Sequence, residues 1–441
     1  MDEIVATSEP TDLKILIIGI DGVAFKTMNK LMADGHLPTM QKLVENGASG
    51  ILKSELPMIS PAIWTTIATG RSRQIHGISH FWQIKDRTPK DRVLVSSNSR
   101  RVAAIWNWAS AFGKRVGFIG WWASWPAEPV NGWIITDRVA RTRFTEWSDS
   151  ERAVHLTYPG SLADKVRPLL VDPDDPPMEE VARLVQLTSE ELHEFKTIKK
   201  PLIAHGLSVF KFAYAAQRSN ENIALNLVKK GQPDLMGVYL VAADPISHTF
   251  WHYFEPNRFR GVDSKKAARL GELIPGIYKH NDIYIEKLLN NVDLSRTVVL
   301  IVSDHGMKAS GKLPVDVNAG TFEELQKEAV SLGRITVGQT GVHHEDGVFI
   351  VCGPSIKKGF KGQAGVLDIA PTILTLMGLP VSKKMEGRVL EEIIEPRFLA
   401  KHPTRKIDSI EKYYFRRPIR VDQRREDKEL VDQLRALGYV K

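Results

Sequence analysis

The chain has 441 residues, 43% of them hydrophobic and 25% charged, a globular composition that excludes a disordered or collagen-like polymer. A single cysteine, Cys352, excludes a disulfide scaffold and a thiolate zinc site. The formal charge is +8, but 13 Lys and Arg against 7 Asp and Glu in 397–441 account for six of it; that tail reads as a solvated surface segment, and no specific nucleic-acid partner is expected.

Taken in order, the opening MDEIVATSEPTD is polar and acidic, unlike a secretory signal. No run reaches the roughly 20 apolar residues of a membrane helix, so a cytoplasmic protein is expected. KILIIGI (14–20) then starts a series of continuous apolar runs of strand length, followed by 115–120, 235–243, 297–303 and 347–352. Continuous rather than alternating runs suit strands buried on both faces of a parallel sheet. Helical patterns fall between them at 25–34, 40–46, 102–112, 207–229, 267–289 and 368–377. The expected fold is α/β: a doubly wound, mostly parallel sheet with helices on both faces.

Two stretches fit the alternation badly. Residues 141–200 are polar and Pro-interrupted and read as an inserted cap. The segment 81–147 holds eight of the ten tryptophans, expected as core or as the seam beneath the cap. The expected division is a core of 1–140 and 201–396, a cap of 141–200, and a basic tail of 397–441. In that tail, Leu430, Leu434 and Leu437 share one helical face ahead of Gly438, which predicts a short docked helix.

Three apolar runs end in a carboxylate: Asp21, Asp244 and Asp304. In an open parallel sheet, groups beyond the carboxyl ends of the strands converge on one crevice. Each alone has a bland alternative, such as a turn at Asp21-Gly22 or an N-cap at Asp244 before Pro245. Each also has a histidine within reach. His248 follows Asp244 by four residues and so shares its helical face. His305 adjoins Asp304, and His343 sits in TGVHHEDG just before a strand. Carboxylates and imidazoles without thiolates suit Zn²⁺ or Mn²⁺. His36, His155, His193, His205, His280 and His402 read as structural. Ser60, followed by Pro61, is a helix start. It is either a cap alone or also a nucleophile, since a helix N-terminus favours an alkoxide and a phosphate.

The pieces IIGIDG, SPAIWTTIATG followed by HGI, WWASWPAE, Asp244-x-x-x-His248, SDHGM, GVHHEDGVFIVCGP, and LDIAPTILTLMGLP followed by GRVL run in order from 14 to 390. Together they resemble the alkaline phosphatase superfamily in its type I phosphodiesterase/nucleotide pyrophosphatase branch. The resemblance implies a hydrolase with two divalent metal ions, Zn²⁺ or alternatively Mn²⁺, acting on a small phosphorylated substrate. Asp21, Asp304 and His305 would hold one ion with Ser60. Asp244, His248 and His343 would hold the other, with His344 the fallback for His343. Ser60 would attack phosphorus and pass through a phosphoserine. Nucleotide pyrophosphatases carry an asparagine beyond the nucleophile helix; GISHFW offers His80 and Phe81 there, and His80 is the candidate substrate contact. Pro61 adjoins Ser60 with no arginine following, which argues against a sulfatase. A phosphomutase of the same superfamily and a non-catalytic binding protein on this fold are the alternatives.

Overall fold

The computed structural model describes residues 10–84, 92–141, 155–199, 205–310, 339–411, 418–421 and 431. Its main sheet consists of β1 (Lys14–Ile20), β2 (Gly47–Lys53), β3 (Val116–Ile119), β4 (Gly132–Ile135), β5 (Thr157–Tyr158), β6 (Leu235–Leu240), β7 (Thr297–Val302), β8 (Asp346–Cys352) and β9 (Phe360–Gly365). The strand order is β9-β2-β8-β7-β1-β6-β3-β4-β5. Every residue of β6 and β7, and all but the first of β1, is buried. Successive side chains point to opposite faces, so both faces of the sheet centre are covered by helices.

Strands β7, β1, β6, β3 and β4 run parallel to one another. β8, from the apolar run at 347–352, is antiparallel to both β2 and β7. A continuous apolar run reports burial on two faces and carries no information on direction. β2 (GASGILK) and β9 (FKGQAG) lack such a run, and only their place in the sheet identifies them as strands. The helix expected over 267–289 is two, Ser264–Leu270 and Leu273–Leu289.

The tryptophans are core: Trp64, Trp106, Trp108, Trp121 and Trp125 rank among the largest fully buried side chains. Trp147 and the helix expected around Leu430, Leu434 and Leu437 lie outside the described residues. In the stretch 141–200, the described part 155–199 adds β5 to the sheet edge. Its Val166, Val181, Leu184 and Phe195 join the same hydrophobic cluster as the sheet.

The helix Ser60–Thr69 is buried along its whole length and ends at Gly70, which takes a positive φ of 63°. It lies against β1 at Gly19, where a Cβ would stand 2.6 Å from the Trp64 ring. A side chain there has nowhere to go. Gly19→Val is expected to cost about 1–3 kcal/mol by overpacking. It should lower the melting temperature and shift Ser60, so thermal melts and activity should fall together.

His76, in HGI, is buried; its Nδ1 accepts the Ile78 N–H and its Nε2 faces Thr66 Oγ1 at 3.1 Å. Burial first, then the nearby Arg100 and Arg73 charges, lower its pKa to about 3 from an ordinary 6.5. The unfolded chain therefore binds a proton that the native state refuses. This contribution is whole above about pH 6.5 and is lost as pH falls toward 3. His76→Gln should flatten the pH dependence of stability in that window, measured by denaturant midpoints.

Candidate active site

The sheet register brings the candidate residues to one edge. Gly19 pairs with Val302 and Ile20 with Leu240, so β1, β6 and β7 end level. Asp21, Asp304 and the helix Ala243–Phe254 follow directly. The reversal of β8 places its first residues at this same edge, because Phe349 pairs with Val302. The strand Gly341–His344 just before it pairs with Gly306–Ala309, setting His343 opposite Met307. The His305 and His343 rings stack with centroids 3.7 Å apart.

Two groups result. Asp21, Asp304 and His305 form one, and Asp244, His248 and His343 the other; the ligand atoms of each lie within 4.8 Å of one another. His305 Nε2 is 3.4 Å from Asp304 Oδ2, 3.5 Å from Asp21 Oδ1 and 3.9 Å from Asp244 Oδ1, so the groups share one pocket. His248 Nε2 and His343 Nε2 are each 3.3 Å from Asp244 Oδ1. Ser60 Oγ faces His305 Nε2 at 3.5 Å. The three aspartates and His305 are fully buried.

The bland alternatives for Ser60 and Asp244 do not hold. Ile59 occupies the N-cap and Ser60 is the first helical residue, so its hydroxyl is not spent on capping. Ala242 is the N-cap of the other helix, and Asp244 lies inside its first turn.

Hydrogen bonding fixes the histidines. Nδ1 of His248 faces Gly341 O at 2.8 Å, that of His305 faces Gly306 O at 3.1 Å, and that of His343 faces Met58 O at 3.2 Å. A carbonyl accepts only, so each Nδ1 carries a proton and each Nε2 faces the pocket. His248 Nε2 and His343 Nε2 then stand 2.8 Å apart, close enough to share one proton or face one cation. Among the described residues, both carboxylate oxygens of Asp244 and Oδ2 of Asp304 are buried without a hydrogen bond.

The electrostatics agree. Burial, then the Asp21 and Asp244 charges, hold the Asp304 pKa well above the carboxylate range. Burial, then His343, keeps His305 well below the imidazole range. At Asp244 burial is the largest influence but is outweighed by His248 and His343, which hold it down. Such a cluster fits divalent cations held by oxygen and imidazole nitrogen.

The supporting shell was not legible beforehand. Trp122 Nε1 donates to Tyr239 Oη at 2.8 Å, and Tyr239 donates a short hydrogen bond to Asp21 Oδ2. Ser303 Oγ accepts the Val23 N–H at 2.9 Å and donates to His305 O at 2.8 Å. Gly22, with φ of 70°, packs against Asp244, where a Cβ would be 2.9 Å from Asp244 Cβ. Tyr239 is one apolar-run residue among several, and no local signal marks it. His344 points away, its Nδ1 accepting the Asp346 N–H, as alternation along a strand requires. His80 is exposed beside Phe81. Arg71 faces Glu386 and Arg73 faces Glu55, each at 3.7 Å.

Fold and cluster together define a hydrolytic α/β enzyme. Residues 15–337 match the family Type I phosphodiesterase / nucleotide pyrophosphatase. The chain belongs to that family, a branch of the alkaline phosphatase superfamily, and is a hydrolase acting on phosphoric ester bonds. Human ectonucleotide pyrophosphatase/phosphodiesterase 5 is similar in structure, with a TM-score of 0.46 and 13% identity over 83% of this chain and 95% of that one. The murine protein of the same name gives 0.45 and 13% over the same shares, both alone and as an inactive variant in complex with AMP. No curated protein is a significant match to the sequence. No helix among the described residues is long and apolar enough to cross a membrane.

Tyr239→Phe removes the proton donor that orients Asp21 while keeping the ring. Loss of such a partner behind a ligand typically costs 10–100-fold in metal affinity. Titration of the chelator-stripped protein with Zn²⁺ should show a drop in that range.

Proposed function

We propose that this hydrolase is a two-metal phosphodiesterase acting on a small phosphorylated substrate through a phosphoserine at Ser60. The observation that supports it most is the convergence of three histidine Nε2 atoms, each oriented by a backbone carbonyl, on three buried aspartates. Asp21, Asp304 and His305, with Ser60, would hold one divalent cation and Asp244, His248 and His343 the other. Zn²⁺ is the expected ion and Mn²⁺ the alternative. Bound there, the ions would supply positive charge that lowers the serine pKa and neutralises the phosphoryl group.

The chain's own groups do the rest. Ser60 Oγ, at the first residue of a buried helix, gives up its proton to solvent and forms the bond to phosphorus while the ester oxygen departs with its electron pair and takes up a proton. The dipole of that helix start favours the negative charge of the phosphoryl group. Water then cleaves the phosphoserine and returns the hydroxyl. Asp21, tied to Tyr239, and His305, tied to Gly306, keep their positions throughout. His80 would contact substrate, and the segment 141–200 would shape selectivity beside a core of 1–140 and 201–396. We place the enzyme in the cytoplasm, since its single cysteine forms no intrachain disulfide; cell fractionation tests that.

The deciding assay is hydrolysis of p-nitrophenyl phosphate and bis-p-nitrophenyl phosphate by chelator-stripped protein with Zn²⁺ or Mn²⁺ restored. Metal-dependent cleavage favouring the diester is expected, with Ser60→Ala reducing kcat by about 10³-fold or more. A Ser60→Ala enzyme that keeps its rate sinks the phosphoserine. Failure to cleave either ester with any metal moves the assignment to a phosphomutase or a binding protein.

A further inference from the structure

The turn between β6 and the helix Ala243–Phe254 serves both ligand groups. Tyr239, near the end of β6, orients Asp21 through its hydroxyl, and Leu240 O accepts the Asp21 N–H at 3.0 Å. Asp244 and His248 follow within the first two turns of the helix. A helix begins with N–H groups that have no acceptor inside it. Here the N-cap is Ala242, whose side chain makes no capping hydrogen bond. Among the described residues no hydroxyl or amide donor holds Asp244 as Tyr239 holds Asp21. The aim of the Asp244 carboxylate therefore follows the backbone, and the helix start must be fixed from outside.

Two amides on one face of the helix Gly206–Val228 do this. Gln217 and Asn220 are buried and three residues apart. Gln217 Oε1 accepts the Ala242 N–H at 2.9 Å, and Asn220 Nδ2 donates to Tyr239 O at 3.0 Å. Gly120 leaves room for the second contact, since a Cβ there would stand 2.3 Å from Asn220 Nδ2. The Gln217 amide cannot turn round. Its Nε2 donates to Glu221 Oε1 at 2.9 Å and to Asn281 Oδ1 at 2.7 Å, which leaves its oxygen for Ala242. Burial is the largest influence on Glu221, but His280 and Arg218 outweigh it and hold its carboxyl below the ordinary range, so it accepts.

We infer that Gln217 is a positioning residue for the Asp244–His248 pair. It acts through the Ala242 N–H, two residues ahead of Asp244, and fixes how the helix leaves β6. This role rests on the two-ion reading above, and the ion concerned is that of Asp244, His248 and His343.

Calorimetric titration of the chelator-stripped full chain with Zn²⁺ reads it. The binding step that His248→Ala abolishes belongs to this ion. In Gln217→Met, which keeps the length but loses the acceptor and both donors, the affinity of that step should fall about tenfold, as for other partners behind a metal ligand. The other step should be unchanged. Gln217→Asn, a milder change whose shorter amide cannot reach Ala242 and Glu221 at once, should weaken the same step severalfold. Ile223→Ala removes packing from the same helix but no hydrogen bond; it should lower the melting temperature and move neither step. If the step weakens no more in the two Gln217 variants than in Ile223→Ala, Gln217 only stabilises the fold and the positioning role is wrong. A wild-type chain that takes up no ion would instead overturn the two-ion reading, and this role with it.

Discussion

Three aspartates buried together at one edge of a sheet are the constraint on which the rest of this structure depends. Like charges this close and this dry cannot all ionise unaided, and Asp304 accordingly holds its proton far above the usual range. At Asp244 the neighbouring His248 and His343 answer that charge and hold the carboxyl down. On the proposed function, divalent cations held there would offset this charge. Much of the nearby architecture serves to keep these groups in place against their repulsion.

That architecture is mostly backbone. Level strand ends on β1, β6 and β7 deliver the three aspartates, the reversed β8 delivers His343 from the opposite direction, and main-chain carbonyls set the imidazoles. The aromatic shell adds orientation. Trp64 sits edge-on to Trp121 and Tyr239, with centroids 5.1 and 5.2 Å away, and Trp121 Nε1 donates to Trp64 O. One packed unit therefore holds the Ser60 helix and, through Tyr239, the carboxylate of Asp21. The low polarity of this wall also strengthens every charge interaction inside it.

Behind the sheet a second polar network touches the first. Gln217 Oε1 accepts the Ala242 N–H at 2.9 Å, at the cap of the helix that carries Asp244 and His248. The same side chain donates to Glu221 and to Asn281. The buried glutamine thus joins the helix that carries Asp244 and His248 to the ionic network around Glu221. His280, one of six histidines that look merely structural in the sequence, is part of that network.

How much was legible follows from the range of each interaction. Local patterns sufficed for β1, β6 and β7 as buried strands, for the aspartates at their ends, and for the four-residue spacing of Asp244 and His248, because strand alternation and helix periodicity act over a few residues. The motif set and its order carried the family and the mostly parallel fold. Tertiary structure decided what depends on contacts between distant segments: the reversal of β8, strands as glycine-rich as β2, the Trp122–Tyr239–Asp21 chain, and the choice of His343 over His344 by the face of a strand. It also decided that Ser60 begins its helix instead of capping it. Residue types and spacings name the chemistry a chain can offer. Only the packing of segments hundreds of residues apart brings Asp21 within 3.5 Å of His305, where charge, dryness and geometry make that chemistry available.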